Sequence, residues 1–150
     1  MSPSSRDDYL LRMIREVMEA LARIAGLRKE GKAAEALTEI DAARGLLLGP
    51  AAELVPRLDP ASAAHVVGDP ERILALARLV RAEADVRAEE GDPARAGALR
   101  RRALAFALEA RARRRFADAD ALVAELAAEV PQEEMDEPWR TLLRDARRGV

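Results

Sequence analysis

Leu10, Ile14, Val17, Leu21 and Ile24 recur at alternating spacings of four and three near the start of the chain. That spacing keeps all five on one face of an α-helix. It predicts a first helix from about Asp7 to Glu30, with Asp7 or Asp8 capping its start and Gly31 closing its end in a left-handed conformation. The same five residues form a short heptad seam of the coiled-coil kind. Leu11, Met13, Met18, Ala25 and Leu27 widen the apolar surface beyond that seam. A helix of this kind must meet two neighbours, or one neighbour and a partner chain.

Further apolar stripes follow. Ala36, Leu37, Ile40, Ala43 and Leu47 predict a second helix over about Lys32–Leu48, joined to the first by a link so short that the two must form an antiparallel hairpin. Residues 49–68 carry Pro50, Pro56 and Pro60, which break long helices. They are read as an ordered crossover with only short helical turns near Ala51–Val55 and Ala61–Val67. Asp69-Pro70-Glu71 then starts a third helix, with Asp at the cap, Pro at the first helical position and an acid in the first turn. Its stripe is Ile73, Ala77, Val80 and Ala84, Glu83 stands four before Arg87, and Gly91 ends it.

Asp92-Pro93 opens a fourth helix, to about Arg114. Leu99, Ala103, Phe106 and Ala110 form a bulky stripe, with the small residues Ala94, Ala98, Ala105 and Ala112 nearly opposite. Two apolar faces are what the middle helix of a stacked array needs. A fifth helix covers about Asp118–Val130, stopped by Pro131. A last one, from about Gln132 or Pro138 to Arg148, places Met135, Trp139, Leu142, Leu143 and Ala146 on one face. The expectation is an all-α fold of about six helices in one domain: a hairpin over residues 7–48, a Pro-rich crossover over 49–68 and a helical array over 69–148.

Three segments repeat a pattern. Gly31-Lys32-Ala33-Ala34-Glu35-Ala36 is followed by Ile40 and Ala43; Gly91-Asp92-Pro93-Ala94-Arg95-Ala96 by Arg100 and Ala103; Phe116-Ala117-Asp118-Ala119 by Val123, Leu126 and Pro131. This resembles the second-helix half of a tetratricopeptide motif, in which a small residue sits where two helices cross closely. The resemblance is to a degenerate form, because the Trp-Leu-Gly-Tyr signature of the first helix is missing and Arg100 stands at a usually apolar position. It implies antiparallel hairpins stacked in a right-handed array, whose concave surface takes peptides or protein segments. The opening Asp8-Tyr9-Leu10-Leu11-Arg12-Met13-Ile14, followed by the Gly31 segment, is also similar to a family of small bacterial proteins of unknown function. That similarity implies a helical fold and supplies no activity.

Composition narrows the function classes. The chain has no Cys, which excludes disulfides, thiolate catalysis and Cys-based zinc sites. With 25 basic and 27 acidic residues it has no global field to draw nucleic acid or anionic lipid. Aromatics at 3% are too few for a base-stacking platform. No run approaches a membrane span, and the opening Met1–Asp8 lacks the order of a signal peptide. The expected location is the cytoplasm.

Polar candidates are few. His65 is the only histidine and has no obvious carboxylate partner. Glu129, Glu133, Glu134, Asp136 and Glu137 cluster without the spacing of a calcium loop, and read as acids favouring the start of the last helix. Trp139 with Met135 and Leu142 reads as a core plug. No catalytic, cofactor or metal constellation is expected. Two binding surfaces are. Leu10, Ile14, Val17, Leu21 and Ile24 are expected to self-associate, giving a homodimer. The alternative is an adaptor for an acidic peptide or nucleic acid through Arg100, Arg111, Arg113 and Arg114 of the fourth helix.

Overall fold

In a computed structural model describing residues 5–150, Gly31 and Gly91 build the same turn. Their φ angles are 73° and 85°, a region that a residue without Cβ enters freely. The glycine N–H groups donate to Arg28 O and Ala88 O at 3.0 and 3.1 Å, and the next N–H groups, of Lys32 and Asp92, reach back to Leu27 O and Arg87 O at 2.9 and 3.0 Å. This pair of bonds satisfies carbonyls that a helix end leaves open. Five residues beyond each glycine, Ala36 and Ala96 are fully buried. The repeated pattern therefore has a repeated geometry: a tight reversal, then a small residue where two helices meet.

The first turn joins α1 (Ser5–Lys29) to α2 (Ala33–Leu48), and the second joins α4 (Pro70–Glu89) to α5 (Pro93–Arg113). Between the hairpins lies α3 (Pro60–Val67); after them come α6 (Ala117–Glu129) and α7 (Trp139–Arg147), with single 3₁₀ turns at Gly49–Ala51, Val55–Arg57 and Gln132–Glu134. The fold is all-α, with no strand among the described residues. No helix there is long and apolar enough to cross a membrane. Met1–Ser4, part of the opening weighed against a signal peptide, lie outside the described residues.

Aspartate caps set three helix starts. Asp69 Oδ1 accepts from Glu71 N and Arg72 N at 2.8 and 3.2 Å, and Asp92 Oδ1 from Arg95 N at 3.1 Å, as the two Asp-Pro signals imply. Asp7 and Asp8 depart from expectation. Helix α1 already begins at Ser5, so both acids sit inside its first turn, where they favour the helix dipole. The crossover also holds more helix than short turns. Asp59 Oδ1 accepts from Ser62 N at 2.9 Å and caps the eight-residue α3. Asp59-Pro60 carries the signal that Asp69-Pro70 and Asp92-Pro93 carry. A hydrogen bond from the Ser62 backbone, then one from its hydroxyl at 2.9 Å, holds the Asp59 carboxyl below its usual range.

Packing follows chain order. Helix α1 lies against α2 and α4, α2 against α4, and α4 pairs closely with α5. Helix α5 also meets α3, α6 and α7, and every residue from Ala103 to Arg111 is buried. It is the central helix, but not through the small face expected of it: Ala94, Ala98 and Ala112 are exposed and only Ala105 is buried. Along its first turns Ala96 is buried while Ala94 and Ala98 stay exposed, and burial all round begins only at Ala103. Two arginines fasten the crossover. Arg72 Nη2 donates to Leu47 O at 2.6 Å and Arg102 Nη2 to Val55 O at 3.0 Å. Buried side chains from Met13 to Leu143 form one contiguous cluster.

Candidate interaction surface

Helix α1 has two apolar stripes about its axis. At about 100° per residue, Met13, Val17, Ala20 and Ile24 share one direction, and all four are buried against the rest of the fold. Leu11, Ile14, Met18, Leu21 and Ala25 share another, roughly 100° away. Leu11 is 53% exposed and Met18 42%, Ala25 is exposed, and Ile14 and Leu21 are half-buried.

The expected self-association residues fall across both stripes. Val17 and Ile24 are 0% and 1% exposed, so the intramolecular core consumes them and they offer nothing to a partner. Leu10, Ile14 and Leu21 are half-buried on the border. The heptad seam is thus corrected: its inner members face α2 and α4, and the surface left free is carried by Leu11 and Met18. A shallow recess of about 110 Å³ runs beside it, where Ile14 and Met18 meet Leu74, Ala75, Arg78 and Phe116.

A second surface, mixed in polarity, lies at the end of the hairpins. Tyr9, Leu46 and Val66 are exposed, and with Leu10, Met13 and Arg72 they line an open cleft of about 1000 Å³. These residues come from α1, α2, α3 and the start of α4, which only the folded chain brings together. Nothing in the local sequence around Leu46 or Val66 marks them out.

The structure does not unite the four arginines of the expected anionic-partner site. Arg100 faces Asp85 at 3.5 Å and Glu129 at 3.9 Å. Arg111 is buried, its Nε donating to Asp120 Oδ1 at 2.9 Å. Arg113 Nη1 donates to Glu109 Oε1 at 2.7 Å. Arg114 reaches Glu71 at 3.5 Å and stands 4.8 Å over the Phe116 ring. Each cation has its own carboxylate, on α4, α5 or α6, and an acidic ligand would have to displace them one by one. Asp120 is held below the usual carboxylate range by its hydrogen bond from Arg115, and also by that from Arg111.

The remaining candidates find structural places. His65 is exposed in the last turn of α3. Within the acidic cluster, Glu129 accepts from Arg81 Nη2 at 2.6 Å, Glu134 lies 3.5 Å from Arg101, and Glu137 accepts from Thr141 N and Oγ1 at 2.9 Å. The Thr141 hydroxyl, then its N–H, holds the Glu137 carboxyl below its ordinary range. No group of His, Asp and Glu among the described residues is placed to hold a metal ion. Trp139 packs on the core and its Nε1 donates to Glu109 Oε2 at 2.8 Å.

Comparison with protein-family models, with curated proteins and with solved structures returned no match for this chain.

Proposed function

We propose that this chain is a non-enzymatic protein–protein interaction module, a degenerate tetratricopeptide-like array of helix hairpins, working in the cytoplasm and self-associating through α1. The observation that supports the reading most is the free stripe of α1. Large apolar side chains aligned over several turns and left in water mark a contact surface more often than scattered single ones do. The absence of cysteine fits a reducing compartment. The arginine reading has no comparable support, since each of its cations is already paired.

The methionines supply the test. Met18 lies on the free stripe, whereas Met13 and Met135 are 7% and 2% exposed in the core. With methyl-labelled methionine, raising the protein concentration should move the Met18 methyl resonance and leave those of Met13 and Met135 in place. A Met18 resonance independent of concentration would count against self-association through α1. Equal movement of all three would point to a general effect in place of a contact.

A further inference from the structure

We infer that the occupant of the α1 stripe is the α1 helix of a second copy, lying antiparallel, with the two-fold axis passing at Met18. This rests on the self-association reading above and adds its geometry. Three features of α1 carry it.

The first is bulk. Leu11 and Ala25 each stand seven residues from Met18 on the same stripe. An antiparallel pair centred on Met18 sets the protruding Leu11 of each copy over the small, exposed Ala25 of the other. A parallel pair stacks Leu11 on its own copy and leaves alanine facing alanine, a void that dispersion cannot fill. In the same antiparallel register Ile14 meets Leu21 of the second copy, half-buried residue against half-buried residue.

The second is charge. Helix α1 has Asp7 and Asp8 in its first turn and Arg28 and Lys29 in its last. Asp8 and Lys29 are both exposed; Lys29 is in line with Leu11 on the stripe, and Asp8 lies about 60° to one side of it. In an antiparallel pair the first turn of one copy lies beside the last turn of the other, so Asp8 comes within reach of Lys29 at both ends. Arg15, on the side of Asp8, comes to Ala22 of the second copy and not to a like charge. A parallel pair gathers both acidic first turns at one end and both basic last turns at the other, without that complementarity. Antiparallel helices also oppose their dipoles favourably.

The third is self-sufficiency. Each complementary group of this interface is on α1 itself, as an isologous two-fold contact requires. One helix face is at the small end of stable interfaces, which implies a dimer that dissociates on dilution.

Because the chain has no cysteine, disulfide trapping reads the register directly. Leu11→Cys and Ala25→Cys both alter exposed positions, and circular dichroism checks that each variant keeps its helix content. The two variants are mixed in equal amounts and oxidised mildly at high concentration, beside a sedimentation run of the cysteine-free chain. The mixed Leu11→Cys/Ala25→Cys disulfide should exceed either homodisulfide by about tenfold, as a held geometry gives over chance encounter. Homodisulfides of Leu11→Cys equal to or above the mixed product would overturn the antiparallel register, as would a dimer that yields no disulfide. A cysteine-free chain that sediments as a monomer throughout would overturn the self-association reading as well. The sedimentation run therefore separates failure of the register from failure of the dimer.

Discussion

Replacing Phe106 with Ala should lower the stability of the chain by about 3–5 kcal/mol, measured by urea unfolding followed by helical circular dichroism. Phe106 is fully buried in the middle of α5, within the stretch Ala103–Arg111 that has no exposed residue. It is the one aromatic among the buried core side chains of the described residues, the rest being Ala, Leu, Val, Ile and Met, and those side chains cannot swing in to fill a ring-sized void. The Arg102 guanidinium lies 4.9 Å over the ring. Its loss exposes that charge to an emptier site while Arg102 still holds Val55 O. Burial already presses the Arg102 guanidinium below its ordinary pKa range. Phe106→Leu keeps most of the volume and should cost roughly 1–1.5 kcal/mol. An alanine variant that loses less than about 1 kcal/mol would mean that α5 is not the helix around which the others close.

Glu109→Ala should undock the C-terminal helix. The Glu109 carboxylate is buried and accepts from Trp139 Nε1 at 2.8 Å and from Arg113 Nη1 at 2.7 Å. It ties α7 to α5 through the indole and so fixes the last element of the fold. Its removal leaves the indole N–H without its acceptor and costs about 1.5–3 kcal/mol for a bond to a charged group. Trp139 is the sole tryptophan, so the change is read without a label: its fluorescence should shift to the red and become easier to quench. Trp139→Phe and the double variant complete the cycle, with an expected coupling of about 1–2 kcal/mol. Additive losses, with fluorescence unchanged in Glu109→Ala, would show that the hydrogen bond does not hold α7.

How much of this was legible in the chain can be judged residue by residue. Gly31 and Gly91 were readable as helix ends because their left-handed turns are a local matter, and Ala36 and Ala96 were readable as close-crossing positions from their offset to those glycines. Asp69 and Asp92 were readable as caps for the same reason. Helix α3 is harder to see in the sequence although Asp59-Pro60 repeats their signal, because Pro50, Pro56 and Pro60 interrupt the helical pattern over residues 49–68. The α1 surface was legible only in part. Periodicity fixes the angle of each apolar residue about the axis, but not which angles α2 and α4 will cover. That is decided by tertiary packing, which took Val17 and Ile24 and left Leu11 and Met18. The arginines of α5 were legible as a charged run, while their pairing with Asp85, Glu71 and Asp120 depends on helices α4 and α6 approaching from elsewhere in the chain. The Glu109–Trp139 bond was out of reach for the same reason: thirty residues separate its partners.

Sedimentation equilibrium of the full chain from about 1 μM to about 1 mM, the span over which a small interface associates, tests the central claim most directly. The mass should rise from 16.4 kDa toward twice that value as concentration rises. Met18→Glu, which places a charge on an exposed position of the stripe, should stay at the monomer mass with its helix content intact. A wild-type chain that keeps the monomer mass at the highest concentration would contradict the account, and so would a Met18→Glu variant that dimerises as the wild type does.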